Sequence, residues 1–232
     1  MRQSEQTPFL SILWLVLCTC LAGLLTHQVC GQDVVDKTLA TVSDGVRTEL
    51  ITLSDVRWQL ALQPNTNLSP PSTEDMNRAL RLLIDQKVFA LEAERLPRNA
   101  PTEKEIGDKI TEILAYFPST AEFEKRLRIV GFTSIKDENF ERIIALRVAI
   151  DKYLDFRFRS FVVVTAEDET RYYRDVFVPD FRRRSPGLLL PALEQKRAEI
   201  RRILTEATVA TNIETFLDEA KRRIEIVSLI EL

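Results

Sequence analysis

Three times between residues 72 and 130 a Ser or Thr stands three positions before an acid, and each time an apolar stripe of helical spacing follows. This repetition constrains the fold most. A Ser or Thr hydroxyl and an acid three residues on can satisfy the orphan amides of a helix's first turn. Ser72-Thr73-Glu74-Asp75 leads into Leu80, Leu83, Ile84, Val88 and Leu91, with Pro97 as the expected stop. Thr102 and Glu105 lead into Ile106, Ile110, Ile113 and Leu114. Ser119 and Glu122 lead into Phe123, Leu127 and Val130, and Gly131 ends that run. Spacings of three and four place each set on one helical face. Ser134 and Asp137 open a longer stripe of Phe140, Ile143, Ile144, Ile150 and Leu154. Arg147 interrupts it, with its stem expected along the face and its charge in water. Two further helices are expected near the end. One spans about 191–206, with Leu193, Ile200, Ile203, Leu204 and Ala207 aligned; the other spans 212–223, with Ile213, Phe216, Leu217 and Ala220 aligned.

Strand signals are short. Two β-rich runs flank Asp44-Gly45, a strong hairpin dipeptide. Phe161 to Thr165 is a brief β-branched run, and Ile224 to Ile230 is another near the C-terminus. The expected fold is mainly α, with a small antiparallel sheet formed by the N- and C-terminal segments.

The first thirty residues differ from the rest. An apolar, charge-free run from Phe9 to Leu25 follows Arg2 and Glu5 and ends near Val29-x-Gly31. This is the pattern of a secretory signal peptide, residues 1–31, cleaved before Gln32. The alternative is an anchor in the inner membrane, for which 17 residues is at the short limit. Cleavage removes Cys18, Cys20, Cys30 and His27. The remaining single domain, 32–232, then has neither Cys nor His. That excludes disulfides, thiol nucleophiles and the usual zinc ligand sets, and it removes the commonest general base. No cofactor and no metal are expected. Losing Arg2 and Glu5 leaves the formal charge at −3, so no general electrostatic pull toward nucleic acid exists. Only Gly45, Gly107, Gly131 and Gly187 remain among the glycines, and the phosphate-cradling motifs are absent.

Two features stand apart from core formation. Arg182-Arg183-Arg184 lies between Pro179 and Pro186 and reads as a solvated loop, the alternative being a weak contact with anionic lipid or acidic chains. Acid pairs such as Glu92 with Glu94, and Glu167 with Asp168 and Glu169, read as caps or solvated faces rather than catalytic groups. Phe156, Phe158, Phe161, Tyr172, Tyr173, Phe177 and Phe181 crowd into 26 positions. Phe156 and Phe158 are two apart and cannot share a helical face, so one is expected outside the core stripe. The cluster is either a surface that binds other chains or a set of rings packed on the helix beginning near Pro191.

The order of motifs resembles the SurA-type periplasmic chaperones. "LATVSDGVRTELITLSDV" is similar to the hairpin and helix start that open that family, and "ALRLLIDQKVFALEAERL" to its next helix. "VVVTAEDETRYYRD" resembles the element that closes its N-terminal part, and "NIETFLDEAKRRIEIVSL" its returning C-terminal helix and strand. The resemblance implies a helical chaperone core. In the family, parvulin-type prolyl isomerase domains are inserted where this chain holds only a linker, 178–191, so isomerase activity is not expected. The implied function is that of an ATP-independent periplasmic holdase for unfolded outer-membrane or secreted proteins. Trp58, Phe156, Phe158, Tyr172, Tyr173, Phe177 and Phe181 are the candidate client-binding residues. The alternatives are a residual prolyl isomerase and a membrane-anchored subunit serving one dedicated partner. N-terminal sequencing of envelope-purified protein should find a chain starting within a few residues of Gln32; an intact Met1 species pelleting with membranes would contradict cleavage.

Overall fold

The computed structural model describes residues 36–94 and 100–229. The expected signal segment 1–31, Pro97 and Ile230 lie outside them. The chain begins with a hairpin, β1 (Thr38–Ser43) and β2 (Thr48–Thr52). Its turn is built around Asp44, whose carboxylate accepts the amides of Val46 (3.0 Å) and Arg47 (2.8 Å), while Gly45 takes a φ of 83° that L side chains rarely adopt. Five helices follow: α1 (Leu53–Ala61), α2 (Thr73–Ala93), α3 (Glu103–Leu114), α4 (Thr120–Ile129) and α5 (Glu138–Arg157). Ser72, Thr102 and Ser119 each accept the amide three residues on, as the sequence predicts. A single 3₁₀ turn, Arg159–Phe161, leads to α6 (Ala166–Tyr172). A π-helical turn (Tyr173–Phe177) carries α6 straight into α7 (Val178–Arg184). Then come α8 (Leu193–Arg223) and β3 (Glu225–Ser228).

The sheet has the order β2-β1-β3, antiparallel throughout, with Ala40 opposite Ser228 and Ser43 opposite Glu225. The two ends of the described chain are therefore hydrogen-bonded neighbours. Leu39, Val42 and Ile51 point from the sheet into a core shared with Val56 and Leu60 of α1, Val88 and Leu91 of α2, and Ala220 and Ile224 at the end of α8. A second core gathers Ile110, Ile113, Phe123, Leu127, Phe140 and Ile144 from α3, α4 and α5. Its rings meet edge-on, Phe123 with Phe140 at 5.9 Å and Phe140 with Phe132 at 5.7 Å, the geometry that ring quadrupoles favour. A third joins Phe89, Ile150 and Phe216, fastening α2 and α5 to α8.

One cation ties two of these regions together. Arg126 of α4 donates to the carbonyls of Leu60 (3.1 Å), Ala61 (3.2 Å), Gln63 (2.9 Å) and Thr66 (2.9 Å). The last carbonyls of a helix have no partner within it, and a planar five-donor fork is the side chain best shaped to gather several.

Four expectations are corrected. The helices foreseen at 191–206 and 212–223 are one, α8. Across the expected gap, Thr208 and Thr211 donate their hydroxyls to the Leu204 and Ala207 carbonyls at 2.8 and 3.0 Å and sit inside the helix. The run 161–165 is not a strand: Phe161 closes the 3₁₀ turn, Val162–Val164 are extended and outside the sheet, and Thr165 caps α6. The segment 178–191 is a linker only in its second half, because α7 carries the three arginines in its last turn. Pro179 would drive its ring into the carbonyl four residues back in a regular helix, and the widened turn just before it gives that carbonyl room. Arg147 is half-buried rather than turned wholly to water: its Nε is enclosed and its guanidinium donates to the buried Gln59 side chain.

Truncation after Arg223 should destabilise the whole domain. It removes β3 and the fully packed Ile224, whose burial alone is worth about 1.5–3 kcal/mol. Thermal unfolding should show a single transition lowered by at least ten degrees. A melting curve like that of the intact chain would contradict closure through the sheet.

Candidate functional site

From Arg159 onward the chain forms a helical hairpin. The irregular segment 162–164, α6, the π turn and α7 run outward; residues 185–192 turn; α8 returns. Three contacts fix the pairing. Arg159 forms a forked ion pair with Glu206 of α8, at 2.6 and 3.0 Å. Glu169 of α6 is fully buried and lies between two α8 arginines: Arg201 donates to it at 2.7 Å, and Arg197 stands 3.1 Å from its other oxygen. Tyr173 donates its hydroxyl to the Pro191 carbonyl at 2.6 Å. Positions 159, 169 and 173 thus meet 206, 197–201 and 191, an antiparallel register.

Glu169 corrects the reading of the 167–169 acids as solvated. Asp168 does cap α6 and Glu167 is exposed, but the next residue is turned about 100° around the helix and faces α8. The sequence signal for it was Arg197 and Arg201, spaced one turn apart so that both can reach one carboxylate. Glu92 is also buried, with Arg223 at 3.5 Å.

Between the outgoing and returning arms lies a groove of about 400 Å³. Val163, Val164, Tyr172, Val176 and Leu204 give it apolar walls; Asp168, Arg171, Asp175 and Thr208 give it polar edges. Val163 is 83 % exposed, and nearby in sequence Phe156 (61 %) and Phe161 (70 %) meet edge-on at 6.4 Å outside the core. At the hairpin tip Leu188 and Leu189 are exposed as well.

The seven aromatic candidates separate into four groups. Phe156 and Tyr172 face accessible surface, the latter in the groove. Phe158 is buried against Phe216 at 5.3 Å, so Phe156 is the ring left outside the core stripe. Tyr173, Phe177 and Phe181 are half-buried and stacked in a ladder at 5.4 and 5.8 Å, with the Lys196 ammonium 5.8 Å from the Phe177 ring; they hold the tip of the hairpin together. Trp58 belongs to the α1 region, where its indole donates to the Val130 carbonyl at 3.1 Å and its ring meets Phe132 at 5.2 Å. Val163 and Val176 were not singled out from the sequence, and Leu204 was read only as part of a helical stripe; the β-branched run at 161–165, misread as a strand, was the signal for Val163. The arginine run is solvated, with Arg183 and Arg184 both paired to Asp180.

Among the described residues no cluster of His, Cys, Asp or Glu is arranged to hold a metal ion, and no helix is long and apolar enough to cross a membrane. No protein-family model and no curated protein matches the chain.

The hairpin carboxylates share one electrostatic behaviour. Bonds from the Thr165 hydroxyl and amide hold Asp168 below its usual 3.8; the Arg159 fork holds Glu206 below 4.5; and the paired arginines Arg183 and Arg184 lower Asp180. In the α3–α5 contact, Lys152 and the Thr102 cap pull Glu105 down to about 2. Each group has a lower pKa folded than unfolded, so its contribution is complete above the unfolded value and lost as pH falls through the folded one. Stability should therefore be flat above about pH 5 and decline between roughly 4.5 and 2, with the decline shallower in Glu206→Gln and Glu105→Gln. Urea unfolding at a series of pH values checks this; a constant midpoint down to pH 2 would refute it.

Proposed function

We propose that this protein is a periplasmic, ATP-independent chaperone that holds unfolded polypeptides, outer-membrane or secreted proteins among them, on the α6–α8 hairpin. The observation that carries the reading is the exposed apolar series Phe156, Phe161 and Val163 running into the groove walled by Val164, Tyr172, Val176 and Leu204. Large aromatic and β-branched side chains left in water on one side of a helical domain offer apolar area to another chain, and their burial drives association without a covalent step. Thr208 and the charged edges, Asp168, Arg171 and Asp175, supply partners for the polar backbone of a bound segment. Between α7 and α8 stand only residues 185–192, too short a stretch for an isomerase domain, which supports binding over catalysis. The resemblance of the motif order to SurA-type chaperones points the same way.

The test is suppression of aggregation of an unfolded β-barrel protein. Phe156→Ser, Phe161→Ser and Val163→Ser together should weaken suppression at least five-fold while the melting temperature stays within a few degrees, because all three side chains are mostly exposed. Arg182→Ser, Arg183→Ser and Arg184→Ser should leave suppression intact at physiological salt. Full activity in the apolar variant, or loss confined to the arginine variant, would overturn the proposal.

A further inference from the structure

A second pocket, of about 290 Å³, opens between α1, α2 and α5. Trp58, Leu83, Ile143 and Leu146 give it apolar walls, and the charged Asp55, Lys87 and Arg142 line it as well. At its polar side stands Arg147, which donates one Nη to the side-chain oxygen of Gln59, itself buried. Gln59 is neutral. The Arg147 Nε–H is buried and has no acceptor among the described residues, and no carboxylate there lies within 4 Å of the guanidinium.

The other charged groups near this pocket are engaged elsewhere. Asp55 accepts the amide and hydroxyl of Thr52 as the cap of α1, at 2.9 and 3.1 Å. Lys87 pairs with Glu49 at 2.8 Å, and Arg142 with Glu138 at 3.2 Å. Asp151, one turn beyond Arg147 on α5, has its carboxylate 3.0 Å from the Lys109 ammonium.

A half-buried guanidinium with its Nε enclosed and a neutral amide as its hydrogen-bond partner is electrostatically incomplete. Removing a charge from water costs several kcal/mol unless an opposite charge and good hydrogen bonds compensate. Here burial pushes the guanidinium down to about 10, which leaves it charged at neutral pH. An unfilled donor beside an apolar cavity is the complement of one ligand chemistry. A carboxylate can accept from two guanidinium N–H groups at once, with bonds about twice as strong as neutral ones, while an attached apolar body fills the cavity.

The geometry points to this pocket as a binding site for a carboxylate carried on an apolar group about the size of one or two residues, with Arg147 as the anion contact, Gln59 as its positioning partner, and Trp58, Leu83, Ile143 and Leu146 as the apolar enclosure. The free C-terminus of a polypeptide ending in an apolar residue has this chemistry, and so does a medium-chain fatty acid. The site is independent of the α6–α8 groove and does not rest on the chaperone reading.

Calorimetric titration of the purified full-length chain with N-acetyl-Leu-Phe, its C-terminal amide and decanoate tests it. The acid should bind at least ten-fold more tightly than the amide, and Arg147→Gln should reduce the acid to the level of the amide. Arg142→Gln should change the affinity less than two-fold. Preference for the dipeptide acid over decanoate assigns a chain terminus as the source, and the reverse assigns a fatty acid. A readout that needs no variant is the melting temperature of the unmodified protein, which the acid should raise and the amide should not. Equal binding of acid and amide, no binding of any of the three probes, or an acid preference that survives in a folded Arg147→Gln protein would each overturn the assignment.

Discussion

The rest of the structure depends on β1 being the middle strand. Its six residues pair with β2 on one edge, a partner five residues away, and with β3 on the other, a partner nearly the whole chain away. An isolated hairpin is marginal in water, and a third strand together with a helical cover makes it stable. Here the third strand brings its own cover, because β3 follows directly on α8 and delivers Ala220 and Ile224 into the core beneath the sheet. Without that pairing α8 would be held to α2 and α5 by Phe216 and its neighbours and by the Lys221–Asp85 and Arg223–Glu92 pairs alone among the described contacts. The hairpin built on α8 would then have no fixed base.

Two kinds of polar contact extend this arrangement outward. Arg126 gathers the open carbonyl end of α1, so the aromatic core of α3–α5 is joined to the sheet region by hydrogen bonds as well as by packing. Glu169 does the equivalent for the hairpin, as one buried carboxylate between two arginines of the facing helix. A buried charge left unpaired is costly, so such contacts specify one register more sharply than apolar surface does. By that measure the Arg147–Gln59 pair is the exception, since its acceptor carries no charge.

Much of the fold was legible in the sequence because its signals are local. Asp44-Gly45 sets a turn, and Ser72, Thr102 and Ser119 set helix starts through atoms three residues away. The apolar character of the two ends made their pairing readable too. What was not legible depended on contacts across the fold. The gap left between the helices expected at 191–206 and 212–223 is helical, and the Thr208 and Thr211 hydroxyls in it bond to the preceding turn. Pro179 suggested a loop, but a widened turn accommodates it. The β-branched residues at 162–164 suggested a strand, but both edges of β1 are already taken and the segment lies beside α8 instead. Of the candidate site, periodicity separated Phe156 from Phe158 correctly, whereas the fates of Trp58, Tyr173, Phe177 and Phe181 depend on partners as far away as Val130 and Pro191. Arg147 appeared as an interruption in an apolar stripe; that its guanidinium turns to a buried partner depends on Gln59, 88 positions earlier.

The continuity of α8 has a mechanical consequence. Thirty-one residues at about 1.5 Å each make a rod of roughly 46 Å with no proline or glycine to bend it. One end stands at the hairpin tip beside Pro191, and the other is set in the sheet core through Ala220 and Ile224. A rod cannot tilt at one end and stay still at the other. A load pressed into the groove at Leu204 is therefore felt about 30 Å away, at the junction where the C-terminal strand meets β1. The amide protons of that strand would serve as a remote gauge of anything bound in the groove.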